Sequence, residues 1–370
     1  MSRINFRILA LAVFLFILAA VQVSTEHLPS FLRPGLRLCA YISNEGGAVT
    51  VVDLVRLAAV ASVNVGPGPA SMREHPKRPE IWGVSSAGYV WVLDARTNRL
   101  AAQIPVGPSP AGLDFAPDGA RAYVVVSGSN SLVVVDCASR RILARARTGS
   151  GPAFVGLTPD GARVLVANRN DATLGIYDAA SLALLGAVPV LPEPQRFVVL
   201  PDGSTAFVMA RESAQLSVVD LKRGVLLANL DLAGPASDMI LKPDGGELYV
   251  VSAAAHGLQV VNTSTHEVGD YILLGSAPTR AVLTADSGIL YVCDSAADRV
   301  ARVLINDRRV ARPAQVADGP TALRLTPGDS LLLAVSGGSG SLSVVRVRTN
   351  SLLTVIPTGG RPLDLAVKLS

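Results

Sequence analysis

The sequence predicts an all-β protein, a closed ring of eight four-stranded antiparallel blades, and three observations carry that prediction. First, turn triplets recur at Pro117-Asp118-Gly119, Pro159-Asp160-Gly161, Pro201-Asp202-Gly203 and Pro243-Asp244-Gly245, with worn copies at Ala285-Asp286-Ser287 and Pro327-Gly328-Asp329, each 42 residues after the last. Second, apolar pairs followed by one further residue, polar in all but degraded copies, end at positions 53, 94, 136, 178, 220, 262, 304 and 346, a first step of 41 and then 42 throughout. Third, the two ends of the chain are complementary fragments of one repeat. A period of this length holding four short strands is that of a β-propeller blade. Eight copies set the count, with a seven-bladed ring as the alternative.

Within one copy, residues 107–149, the elements follow in order. Gly107-Pro108-Ser109-Pro110 breaks regular structure, and 111–115 is a short inner strand, A. In Pro117-Asp118-Gly119 the proline presets φ, the aspartate bonds back to the backbone and the glycine accepts positive φ. Residues 122–126 and 131–136 are continuous apolar runs, strands B and C, as expected of strands buried on both faces. Residues 141–147 form strand D, outermost and alternating with charge, as suits an exposed edge. The first copy, Cys39 to Val65, has B, C and D but no A. The last residues, Pro362-Leu363-Asp364-Leu365-Ala366-Val367, have an A with nothing after it. The C-terminal strand is therefore expected to complete the N-terminal blade and close the ring, which removes two open sheet edges.

The segments Cys39-Ala40-Tyr41-Ile42-Ser43-Asn44, Ala122-Tyr123-Val124-Val125-Val126-Ser127, Val164-Leu165-Val166-Ala167-Asn168 and Leu248-Tyr249-Val250-Val251-Ser252 carry a recurring aromatic-valine pattern. With the valine-rich strand ending in Asp and the Pro-Asp-Gly entry, they resemble the YVTN-type β-propeller repeat family over about residues 38–370. That resemblance implies a bacterial, exported propeller. It assigns no activity, because the shared motif residues are structural.

Residues 1–25 differ from the rest. Arg3 and Arg7 precede an apolar run from Ile8 to Val23, the n- and h-regions of an export signal. At 1.5 Å per residue the run spans roughly 24 Å, short of the ~30 Å hydrocarbon core, which favours a cleaved signal over an N-terminal membrane anchor, the alternative. Residues 26–37 are a spacer and 38–370 the propeller. The expected location is periplasmic or extracellular, or the inner membrane with the propeller outside the cytoplasm. Charged residues are 17% of the chain and the net charge is +4. The basic residues form no stripe with interleaved aromatics, so nucleic-acid binding has no support. Cys39, Cys137 and Cys293 fall in different blades, too far apart for disulfides. A monomer is expected.

Aligning the eight A strands by their leading proline slot gives a row of Ser71, Gly112, Phe154, Arg196, Asp238, Arg280, Ala322 and Asp364, two places on. The intervening row, Met72, Leu113, Val155, Phe197, Met239, Ala281, Leu323 and Leu365, is wholly apolar. Alternation along a strand separates a packed face from one that tolerates charge. Arg196, Asp238 and Arg280, from consecutive blades, are expected to form an arc of alternating charge at the channel mouth, with Asp364 two blades beyond Arg280. Arg73, Asp114 and Arg324 take the next place on the same face. Two arginines around an aspartate suit a carboxylate or phosphate ligand, and equally suit ion pairs joining neighbouring blades.

His27, His75, His256 and His266 share no strand or loop, so no catalytic residue, metal site or cofactor is read from them. The polar B–C loops Asn168-Arg169-Asn170-Asp171, Arg211-Glu212 and Asp294-Ser295-Ala296-Ala297-Asp298 read as solvated hairpins, and Trp82 and Trp91 as core. The expected role is an exported scaffold in the cell envelope, binding a protein or a small anionic ligand. A lactonase-like hydrolase working at the channel mouth is the competing class, and a partner of a quinone- or haem-linked system a third.

Overall fold

The computed structural model describes residues 37–370; the segment read as an export signal or anchor and nearly all of the expected spacer lie outside them. Eight four-stranded antiparallel sheets stand in a ring, and in seven of them the four strands run in chain order from the inside outward. The inner strands of neighbouring blades pack against one another all the way round. One blade combines the two ends of the chain: Pro362–Leu369 pairs with Leu38–Asn44, in register from Leu38 opposite Leu369 to Ser43 opposite Asp364, with a shift before Asn44 opposite Pro362. Beyond the strand ends, Arg37 and Ser370 exchange backbone hydrogen bonds of 2.9 Å in both directions. Counting from this closing blade as blade 1, the inner strands of blades 2 to 8 begin at residues 69, 110, 152, 194, 238, 278 and 320.

The repeated residues are the turn chemistry of the ring. In the A–B turns an Asp Oδ1 accepts the backbone N–H two residues on, at 2.8–3.0 Å from Asp118 to Ala120, Asp160 to Ala162, Asp202 to Ser204 and Asp244 to Gly246. The worn copy keeps this bond, Asp286 accepting from Gly288 at 2.9 Å. Its third residue, Ser287, holds φ 58° where the intact triplets have glycine. The residue closing strand C caps the C–D turn in the same manner: Asp94 Oδ1 accepts from Arg96 and Thr97, and Asp220 Oδ1 from Lys222 and Arg223. These Asx turns satisfy backbone donors that would otherwise be left at the strand ends.

The core lies between blades. Strands B and C are buried on both faces, and each apolar cluster draws on two adjoining sheets. Trp82 and Trp91 are both fully buried there. Two strand-B tyrosines reach the next blade's backbone: Tyr123 Oη donates to the Ala179 carbonyl at 2.8 Å and Tyr41 Oη to the Ala95 carbonyl at 3.3 Å. All three cysteines are buried free thiols, and burial pushes the Cys137 thiol up to about 12.

The outer edge differs in part from the sequence reading. Strand D of blade 3, Ile142–Arg147, carries alternating arginines. Strand D of blade 4, Leu184–Pro189, has no charge at all, and Leu184 and Leu185 are more than half exposed. Protection there is geometric, because every C–D pairing in the ring contains a register shift. A bulge twists an edge strand away from straight pairing with another chain.

Candidate functional site

The eight inner strands enclose a channel of about 940 Å³, lined by residues from Pro69 and Ser237 at one end to Pro243 at the turn end. In most blades the A–B pairing shifts register just after the leading proline. The residue two places on then faces the lumen. Ser71, Phe154, Arg196, Asp238, Arg280, Ala322 and Asp364 all line the channel, with Arg73 and Arg324 two residues further along. The alternate row, Met72 to Leu365, is buried in the blade contacts.

Arg196, Asp238 and Arg280 are brought together. Arg196 Nη1 donates to Asp238 Oδ1 at 2.8 Å, and Arg280 Nη1 stands 3.7 Å from the same oxygen. Asp238 is only 2% exposed, and its other oxygen accepts the backbone N–H of Ala281 in the next blade at 3.1 Å. The Arg196 guanidinium lies 5.9 Å over the Phe154 ring, within cation–π range. Asp364 is apart from this arc. Its Oδ2 accepts from Met72 N of the following blade at 3.0 Å and its Oδ1 from Leu365 N at 2.9 Å, and Arg324 comes within 4.0 Å. Asp114 repeats the pattern, accepting from Phe115 N at 2.9 Å and from Leu157 N of the next blade at 3.2 Å.

One rule thus covers the three carboxylates. Each sits on an inner strand, and each accepts a backbone N–H from the inner strand of the next blade. The arginines make no comparable bond. Arg73 and Arg324 each return one donor to the carbonyl preceding them, Met72 and Leu323, at 3.0 Å. A guanidinium has five N–H donors, so most of this donor capacity faces the lumen. Four arginines share the channel with two carboxylates, Asp238 and Asp364, that are already hydrogen-bonded. Burial, and after it the Arg280, Arg73 and Arg324 charges, hold Arg196 below the ordinary arginine value against the pull of Asp238. The group stays protonated, and the lumen is electropositive.

Sequence reasoning named Arg73 and Arg324 only as a deeper row. Their relation to Asp364 escaped it, because that depends on the ring closing between blades 8, 1 and 2. Two B–C loop residues are corrected: Asn168 and Asp294 are buried, not solvated. Asp294 accepts from Ala277 N at 2.9 Å and from Arg299 Nε at 3.0 Å, bracing the loop that leads into strand A. His256 is exposed, with Nδ1 2.7 Å from the Ser276 carbonyl. His75 is fully buried: its Nδ1 accepts from Lys77 N and Arg78 N, and its Nε2 donates to the Gly119 carbonyl of the next blade. Among the described residues no group of three His, Cys, Asp or Glu converges as a metal site would require.

A model of YNCE-like β-propellers matches residues 86–289. The chain belongs to the YNCE-like β-propeller family. No curated protein matches it by sequence. Its fold is similar to that of the dihydro-heme d1 dehydrogenase NirN in complex with DHE, with a TM-score of 0.78 and 16% identity over 89% of this chain and 74% of that one. Hydrazine synthase of Kuenenia stuttgartiensis aligns at a TM-score of 0.61 and 19% identity over 76% and 96% of the two chains. The propeller domain of Cps50 (Swd1) from Myceliophteria thermophila aligns at 0.61 and 12% over 78% and 98%. At these identities the likeness is one of fold.

Proposed function

We propose that this YNCE-like chain is an exported, YVTN-type propeller of the cell envelope, a rigid scaffold that binds a small anionic ligand in its channel mouth through Arg196 and Arg280. The observation that carries the reading is the unequal use of the charged side chains. The aspartates are engaged by backbone amides of the next blade, while most guanidinium donors are not engaged by protein. If these were only ion pairs joining blades, the arginines too would be held across a blade boundary at hydrogen-bond distance, as Arg196 is and Arg280 is not. Guanidiniums recognise carboxylate and phosphate by paired N–H donors. The fold supports recognition because thirty-two short strands fix the side chains on a closed frame, so little order has to be gained on binding. That NirN, similar in fold, has been captured in complex with DHE agrees with a propeller serving as a ligand holder. A lactonase-like reaction would need a free general base; Asp238 and Asp364, the carboxylates lining the channel, are both bound to backbone amides.

The experiment is the Arg196→Ala/Arg280→Ala pair. A native mass spectrum of the purified protein identifies any retained small molecule, and calorimetry measures its return. The double variant is expected to keep the far-UV spectrum and the cooperative melt of the parent while losing the retained ligand. A variant that melts lower but binds as before would assign the arginines to blade joining and end the proposal.

A further inference from the structure

Around the ring the charged residues that line the channel fall into two arginine–aspartate–arginine triplets. Blades 5, 6 and 7 supply Arg196, Asp238 and Arg280; blades 8, 1 and 2 supply Arg324, Asp364 and Arg73. In each the aspartate stands on the middle blade and accepts the backbone N–H of the blade after it, from Ala281 in one and Met72 in the other. In each, the two arginines come from the flanking blades and line the same channel. The second triplet exists only because the C-terminal strand closes the ring and carries Asp364 between the other two. The triplets are not copies of one another. Arg196 and Arg280 lie in the first row of the inner strands, Arg73 and Arg324 two residues further in, about 7 Å along a strand at 3.3 Å per residue. Blades 3 and 4 offer no cation to the lumen, presenting Ala111 and Phe154 instead.

We infer that the channel holds two separated anion subsites, one at Arg196 and Arg280 and one at Arg73 and Arg324, and that its ligand is an elongated dianion with a carboxylate or phosphate group at each end. The inference rests on the anion reading above and narrows it. A single carboxylate engages one pair and leaves the spare N–H donors of the other pair without a ligand acceptor. A dianion of the right length meets both, and the second contact is made at the high effective concentration that the first provides. The apolar residues between the pairs, Ala322 on one side and Phe154 on the other, suit an uncharged linker.

The test is a calorimetric series on the full propeller in low salt. The probes are straight α,ω-dicarboxylates from malonate to sebacate, the matching monocarboxylates, and the α,ω-diphosphonates that separate a phosphate end group from a carboxylate one. The expected result is an optimum at one chain length, about tenfold or more tighter than the monocarboxylate of that length. Arg73→Gln/Arg324→Gln and Arg196→Gln/Arg280→Gln are each expected to remove that optimum and leave a residual monoanion affinity. Should either variant fail to fold, the chain-length series on the parent protein decides alone. Monocarboxylates binding as tightly as every dianion would overturn the two-subsite inference while leaving anion binding intact. No binding of any probe in either class would remove the anion reading as well.

Discussion

Asp238→Asn separates the two tasks of the charged arc, because stability and binding should move in opposite directions. The carboxylate has one oxygen on Arg196 and the other on the Ala281 amide. An asparagine of the same shape has one acceptor and one donor, so whichever way the amide turns, one of those two N–H groups faces another donor. A buried donor without a partner costs about 1–3 kcal/mol. Loss of the counter-charge adds less than about 1 kcal/mol, since the Arg196 side chain is 35% exposed and water screens it. The sum is about 1–4 kcal/mol. With an unfolding entropy near 2.1 cal/mol/K per residue, a ring of this size should melt about 1–6 °C lower. The lumen meanwhile loses a negative charge, and a carboxylate about 7 Å away at an effective dielectric of about 40 gains about 1 kcal/mol, or roughly fivefold in affinity. Differential scanning calorimetry and low-salt titration of the same preparation read both quantities. An unchanged melting temperature would show that Asp238 is not an inter-blade clamp. A lower melting temperature with weaker binding would show that it positions Arg196 for the ligand and that charge balance is secondary.

Further predictions concern the frame. Deleting residues 361–370 removes the strand paired with Leu38–Asn44, the fully buried Leu365 and the Asp364 clamp. At about 1 kcal/mol per ladder hydrogen bond and about 2–3 for the leucine, the loss is comparable to a typical net stability; the truncated chain should not give a cooperative melt, and one that melts like the parent would refute closure by this strand. Gly83→Ala would drive a Cβ into the Trp91 indole, an overpacking cost of about 1–3 kcal/mol visible as a lower denaturant midpoint with an unchanged slope; an unchanged midpoint would mean the indole moves freely. Burial holds the His75 imidazole below its ordinary value. The unfolded state therefore takes up a proton near pH 6.5 that the native state refuses. Stability is complete above that pH and declines as it falls through 6.5 toward the native value. The urea midpoint should drop between pH 7.5 and 5.5, and His75→Gln should be less stable at pH 7.5 yet flatter across the same window; an unchanged slope would place the titration elsewhere. The turn aspartates Asp160 and Asp202, depressed by their hydrogen bonds, act in a separate window, with stability present above about pH 4 and lost on further acidification.

The frame was legible in the chain because its signals are local. Asp118 and Asp160 cap their own turns, Val133 to Val135 alternate between two packed faces, and counting the copies gives the blade number. The row of lumen residues was legible for a similar reason: a proline opens most inner strands and fixes where alternation starts, so Arg196 and Met72 could be assigned to opposite faces before any coordinates. What escaped depends on contacts between blades. The carboxylate of Asp114 meets Leu157 N 43 residues later, and no local pattern distinguishes it from a solvated aspartate. Asp294 looked like a hairpin residue, yet it is fully buried and holds Ala277. His75 lies in an A–B turn, yet it is buried and fills a gap against Phe115 of the adjoining blade, 4.9 Å between ring centres. The second charged triplet needed the ring to be closed before its members became neighbours.

Anomalous diffraction from crystals soaked in selenate tests the account's central claim most directly, because it locates bound anions without requiring the natural ligand. Ordered selenium inside the lumen, within hydrogen-bond distance of Arg196 and Arg280, is the predicted result. Crystals in which selenate decorates exterior arginines such as Arg56 and Arg361 while the channel stays free of it would contradict the claim, and the guanidiniums there would have to be read as part of the frame.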